Sequence, residues 1–154
     1  EKLSSLTDCS RLLDELLNRK PNKHYLKNLE PKIASTLILL FNDSAEKLNF
    51  VLIKRPPYDG VHSDQYALPG GKKEANESLS ETALRETEEE INLSKEHFSI
   101  VGNFPKFFTG TGYVVTPFLG LIKSNSNWQK LLKPNLSEVD KIFFPPTPLK
   151  SSLK

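Results

Sequence analysis

The segment Gly70–Leu93, reading GGKKEANESLSETALRETEEEINL, constrains this chain more than any other stretch. From Gly71 onward it sets Glu74, Glu77, Glu81, Glu86, Glu88, Glu89 and Glu90 against only Lys72, Lys73 and Arg85. An α-helix advances about 100° per residue, so Glu89 and Glu90 fall within about 60° of Glu86 on either side. Three carboxylates therefore share one face. Like charges at these spacings repel by a few tenths of a kcal/mol per pair, roughly the size of a favourable pair with its sign reversed. A hard divalent cation bound among them would remove that repulsion. Leu84, Thr87 and Ile91 lie opposite, with Ser80 one turn earlier. The spacing predicts a helix over 78–91 with this stripe against a sheet and the acids turned toward a metal. Asn92, next in line, suits the left-handed conformation that often ends a helix.

The flanking sequence predicts the sheet. Ile33–Phe41 is a nearly continuous run of β-forming apolar residues, as expected of a strand buried on both faces. Asn42–Lys47 has turn composition, and Phe50–Lys54 reads as the returning strand of a hairpin. Further strands are expected at Tyr66–Leu68, Phe98–Phe104, Tyr113–Ile122 and Lys141–Phe144. The stretches 56–65, 105–112 and 124–134 read as loops, the last an exposed connection containing Trp128. Leu12, Leu13, Leu16 and Leu17 predict an amphipathic helix over 8–19, ending before Pro21. Strands interleaved with one central and one terminal helix predict an α/β layered domain with a mixed sheet.

Composition bounds the partners. With 154 residues the expectation is one domain spanning 1–154, with 1–31 as N-terminal helix and linker and 145–154 as a tail. A net charge of +2 is too mild for a dedicated nucleic-acid binder, so no nucleic acid is expected. The single cysteine, Cys9, cannot form an internal disulfide, and no apolar run is long enough to span a bilayer. The expected setting is intracellular, in the cytoplasm or another reducing compartment, without a membrane partner. Because the chain has no methionine, Glu1 is not expected to be its natural start.

The order Gly71, five residues, Glu77, seven residues, Arg85-Glu86, two residues, Glu89-Glu90, one residue, Asn92-Leu93 resembles the signature of the Nudix hydrolase superfamily. That signature reads G-x5-E-x7-R-E-U-x-E-E-x-G-U, where U is bulky and apolar. Two positions depart, Thr87 at a U site and Asn92 at the last glycine. The resemblance implies a Nudix-like α/β/α sandwich with a mixed β-sheet and a loop-helix-loop catalytic motif. It also implies hydrolysis of a diphosphate joining a nucleoside to another group, with Mg2+ or Mn2+ as cofactor and a small-molecule diphosphate as partner. By position, Glu86, Glu89, Glu90 and the carbonyl of Gly70 would bind metal, and Arg85 would pair with Glu77, a structural support. Arg85, Glu86 and Glu89 form the expected catalytic set, with the general base left open between the two glutamates. A base on a distant loop is represented by Glu96, Glu138 or Asp140.

Leu52–Gly71, reading LIKRPPYDGVHSDQYALPGG, resembles the segment before the signature in the coenzyme A pyrophosphatase branch. Thr109–Tyr113 with Val115–Phe118, and Glu138–Asp140, resemble that branch as well. The resemblance implies coenzyme A or a derivative as substrate, with Arg55, Lys54, His62, Gly71 and Lys72 as candidate contacts. Gly60, Asp64 and Leu68 stand where the branch has Arg, Gly and Phe, so one guanidinium suited to a 3′-phosphate is missing. The alternatives are an ADP-ribose or other nucleotide-sugar diphosphatase, and a non-catalytic Nudix ligand sensor.

Overall fold

The apolar run near residue 33 is the axis of the fold. It forms strand β1 (Lys32–Asn42), whose side chains alternate between two cores. Leu37, Leu39 and Phe41 face one side, and Ile38 and Leu40 the other. In the computed structural model, residues 30–58, 60, 64–123 and 127–147 are described. The predicted helix over 8–19, Cys9, His62 and residues 148–154 lie outside them.

The chain continues through β2 (Leu48–Phe50), β3 (Leu52–Lys54), β4 (Tyr66–Ala67), β5 (Gly70–Lys72), α1 (Leu79–Ile91), a 3-10 turn at Lys95–His97, β6 (Phe98–Asn103), β7 (Phe107–Phe108), β8 (Tyr113–Ile122), α2 (Trp128–Leu131) and β9 (Lys141–Phe143). β1 pairs in parallel with β8 from Lys32↔Tyr113 to Leu40↔Leu121. Its other edge pairs antiparallel with β5 at one end and β2 at the other. β6 and β7 add antiparallel to β8, which makes the larger sheet mixed. β3 lies between β4 and β9 in a second, smaller sheet.

Expectations for the strands and for Trp128 change. Phe50–Lys54 is not one hairpin strand: the chain bends at Val51, so β2 joins the large sheet and β3 the small one. Val51 still donates its N–H to the Leu39 carbonyl at 3.1 Å, which holds the crossing point against β1. Two short strands were hidden in stretches read as the start of a loop and as a loop, β5 and β7. Trp128 is not in an exposed connection. It is buried in α2, edge-on to Phe41 at 4.8 Å and to Phe144 at 5.7 Å between ring centres.

Helix α1 lies against β1 and β5. Ser78 caps it: the Ser78 hydroxyl accepts from the Glu81 N–H, and the Glu81 carboxylate accepts from the Ser78 N–H. At the far end Asn92 adopts φ 59, ψ 36 and donates its N–H to the Glu88 carbonyl. The buried stripe is Thr82, Ala83, Thr87, Glu90 and Ile91, so it is rotated from the expected one: Leu84 and Ser80 are only half-buried. Thr87 tolerates its apolar site because its hydroxyl donates to the Ala83 carbonyl at 2.7 Å. Among the described residues no helix is long and apolar enough to cross a membrane.

Candidate active site

The double glycine lets two carboxylates of α1 lie against backbone. Gly70 has φ +154, and a Cβ there would run into the Ser35 carbonyl oxygen and Thr36. β5 therefore sits close on β1, and the Gly70 N–H is aimed at α1, where it donates to Glu90 Oε1 at 2.8 Å. At Gly71 an added Cβ would collide with the Glu86 carboxylate. Glycine is required at position 70 by the backbone of β1, and at position 71 it leaves the room that the Glu86 carboxylate occupies.

Glu90 is 1% exposed, and its second oxygen, Oε2, is buried without a hydrogen-bond partner. Burial pushes its carboxyl up to about 8, against the opposing pull of the Gly70 N–H and the Arg55 charge. Burial likewise raises the Glu86 carboxyl, with Arg85 opposing and Glu89 and Glu138 adding to the rise. Arg85 compensates Glu86, but Glu90 Oε2 is desolvated without a partner, an acceptor suited to a cation.

Arg85 binds the preceding loop to the helix. Its Nε and Nη2 donate to Glu77 at 3.0 and 2.9 Å, and Nη2 also donates to the Lys72 carbonyl at 3.0 Å. Nη1 lies between Glu86 Oε1 at 3.0 Å and Glu89 Oε2 at 3.1 Å. Glu77 also accepts from the Glu74 N–H and the Thr82 hydroxyl. The Arg85 guanidinium, then these donors, hold the Glu77 carboxyl down to about 2. An acid whose folded value is depressed contributes stability above its ordinary value of 4.5 that is lost as the pH falls toward 2. Urea unfolding of wild type and Glu77→Gln should thus diverge above pH 4.5 and converge toward pH 2; parallel curves would mean the pair contributes nothing.

The expected acid triad is not gathered ready for metal. Among the described residues no three carboxylate, imidazole or thiol groups stand close enough together to hold an ion. Glu86 and Glu89 are turned to Arg85, and Glu90 is packed beneath Gly70. The chemistry nevertheless fits a hard divalent cation: the donors are all oxygens, and Glu90 Oε2 is a buried acceptor with nothing bound to it.

A sequence pattern described as the NUDIX domain matches residues 31–153. The chain belongs to the NUDIX family. Its curated relatives include Nudix hydrolase 15, mitochondrial, of Arabidopsis thaliana, 33% identical over 118 residues that make up 76% of this chain and 41% of the relative. A Nudix hydrolase named NudL from Salmonella dublin is 33% identical over 128 residues, 79% of this chain and 65% of the relative. The chain thus spans from 41% to 65% of the length of these two relatives. Among solved structures, a Nudix hydrolase of M. smegmatis, RenU, aligns with TM-score 0.63 at 17% identity, covering 77% of this chain and 73% of that one. The NUDIX domain of Shewanella oneidensis NrtR, crystallised with ADP ribose, aligns with TM-score 0.59 at 16% identity, covering 87% and 82%. These likenesses establish the fold.

Beside α1 the NUDIX domain opens a cavity of about 570 Å³. Of the residues singled out from the sequence, Arg55, Gly70, Gly71, Lys72, Glu86 and Glu90 line it. Glu89 does not: its side chain is 52% exposed and faces Arg85. Lys54 does not either. It is a buried β3 residue whose Nζ pairs with Asp64 at 3.2 Å and lies over the Tyr66 ring. Asp64 has φ 56, a left-handed conformation that a short polar side chain tolerates, and it binds Lys54. His62 lies outside the described residues.

Sequence reasoning missed most of the cavity wall. Tyr58, Tyr66, Phe107, Thr109, Thr111 and Tyr113 line it, from β4, β7, the start of β8 and the loops beside them. Thr109, Thr111 and Tyr113 belong to a stretch that carried a family resemblance, and that was the only signal available for them. Of the three distant acids left open, Glu138 lines the cavity and Glu96 and Asp140 do not.

Proposed function

We propose that this NUDIX domain hydrolyses the diphosphate of a nucleoside-linked small molecule with Mg2+ or Mn2+ held by Glu86, Glu89, Glu90 and the Gly70 carbonyl. The observation that carries the reading is Glu90, a fully buried carboxylate with one oxygen unpartnered at the wall of a cavity. A divalent cation there supplies neutralisation of phosphate oxygens and a more acidic water. Glu86 and Glu89 must turn from Arg85 to join such a site, leaving Arg85 on Glu77 and the Lys72 carbonyl. Glu86, half-buried at the cavity wall, is better placed than exposed Glu89 to accept the water's proton. Arg55 lines the cavity and would meet phosphate, while Tyr58, Tyr66 and Phe107 line the same wall with aromatic surface that suits a base.

Coenzyme A or a derivative is the substrate we favour. Two stretches that resemble the coenzyme A branch, one holding Arg55 and the other Thr109–Tyr113, meet at this cavity. ADP-ribose is the second reading. The absence of an arginine at Gly60 favours it, and the Shewanella NUDIX domain crystallised with ADP ribose shares the fold. Incubation with Mg2+ or Mn2+ and a panel of coenzyme A, ADP-ribose, NADH, diadenosine polyphosphates and nucleoside triphosphates decides between them. Release of 3′,5′-ADP from coenzyme A is expected. Turnover of ADP-ribose alone would replace the substrate, and turnover of none would leave a ligand sensor.

A further inference from the structure

We propose that Gly60 and Tyr58 form one recognition element: the glycine lets the tyrosine ring lie at the cavity wall as a platform for the nucleoside base, and a phosphate on the ribose goes unread. The inference rests on the nucleoside-diphosphate reading above and names which part of such a substrate the site recognises.

Gly60 is exposed, and unlike Gly70 and Gly112 it does not have a positive φ. Its backbone conformation is therefore open to any residue, and the need for glycine has another source. A Cβ at position 60 would collide with the Tyr58 ring, meeting Cε2 and lying 2.8 Å from Cδ2. The ring thus occupies the space in which any other residue at position 60 would begin its side chain. Gly60 also stands where the coenzyme A branch has Arg. An arginine could not be accommodated there while Tyr58 keeps this position, so losing the guanidinium and placing the ring are a single exchange.

Tyr58 lines the cavity and is 49% exposed. A ring left half in water at a cavity wall has apolar area to give to a ligand, and a base supplies a flat surface to cover it.

The charges of the cavity point the same way. Among the described residues that line it, the cations are Arg55 and Lys72. Both stand near the carboxylates of α1. The Arg55 charge acts on Glu90, and Lys72 follows Gly71, against which the Glu86 carboxylate lies. The diphosphate engages that region on the reading above. Tyr58, Thr109, Thr111 and Tyr113 add rings and hydroxyls without formal charge. Lys32 holds its Nζ 5.3 Å from the centre of the Tyr113 ring, but it is not part of the lining. A further phosphate on the ribose therefore meets no guanidinium fork.

The test is steady-state kinetics with Mg2+ on coenzyme A and 3′-dephospho-coenzyme A, with ADP-ribose as reference and thermal unfolding as control. Wild type should cleave the pair with kcat/KM values within about 3-fold, because no charge-assisted contact separates them. Tyr58→Ala should raise KM for both about 10-fold and change kcat little, as expected when a base loses its stacking surface. Gly60→Ala displaces the ring, so it should raise KM about 5-fold alone and add nothing in the Tyr58→Ala background. A preference for coenzyme A beyond 3-fold, roughly what a charged contact confers, would overturn the proposal and leave the hydrolase reading standing. An unchanged KM in Tyr58→Ala would overturn the platform, and additive effects of the two substitutions would overturn the pairing. If wild type cleaves neither member of the pair, the proposal falls. The hydrolase reading falls with it only if ADP-ribose and the rest of the panel are inert as well.

Discussion

Glu90→Gln is expected to stabilise the metal-free protein and to remove its activity. The carboxylate is 1% exposed, accepts one hydrogen bond from the Gly70 N–H, and has a second oxygen with no partner. Glutamine keeps an acceptor for Gly70 and removes the desolvated charge. The direction with pH follows from the raised carboxyl. An acid held at about 8 in the folded protein, against an ordinary 4.5, makes folding weaker as the pH rises from 4.5 through 8. Metal-free wild type should thus lose on the order of 5 kcal/mol relative to the variant between pH 4.5 and pH 9, read by urea unfolding. The activity of the variant with Mg2+ or Mn2+ should fall about 100-fold or more. Equal pH dependence in the two proteins would mean that the charge is not buried in solution. An active variant would remove Glu90 from the ligand set.

Arg85 should give the second large effect, this time on stability in the ordinary direction. Its side chain is 23% exposed and makes hydrogen bonds to Glu77, Glu86, Glu89 and the Lys72 carbonyl. Arg85→Ala leaves Glu77 without its two-pronged partner and the adjacent acids without a cation. The expected loss is about 2–3 kcal/mol in urea unfolding, below the value for a fully buried pair because solvent screens part of the charge. Arg85→Lys restores charge without the planar fork that spans Nε and Nη2, so it should recover less than half of the loss. Full recovery by lysine would mean that charge alone, and not the fork, holds the 73–77 loop to the helix.

The limits of α1 could be read from the chain because the signals at its ends are local. Ser78 and Glu81 satisfy each other three residues apart, and Asn92 tolerates a left-handed φ by its own chemistry. β1 and β8 were legible for a related reason: a run of β-forming residues about ten long, covered on both faces, has few other ways to fold. The pairing of Arg85 with Glu77 was legible through the family resemblance. It joins a helix to the loop just before it.

Other features depend on contacts between distant residues. Val51 sends β2 and β3 into different sheets because of what pairs with each, namely β1 and β9. β5 and β7 are two or three residues long, too short for a period of two to register, and exist because β1 and β8 offer edges. Lys54 looks like a phosphate contact until Asp64, ten positions later, is found beside it. Trp128 is buried because Phe41 and Phe144 meet it from remote strands and tails.

The same division runs through the segment Gly70–Leu93. By itself the sequence determined that a capped helix carries Glu86, Glu89 and Glu90 near one another, since helical period and capping are properties of neighbours. Only the tertiary structure decided that the three differ: Glu90 buried beneath Gly70, Glu86 half-buried at the cavity, and Glu89 exposed against Arg85. It also decided that Glu138 lines the same cavity as Glu86 and Glu90. Burial and electrostatic environment depend on which distant strand or loop covers a side chain, and no local pattern encodes that.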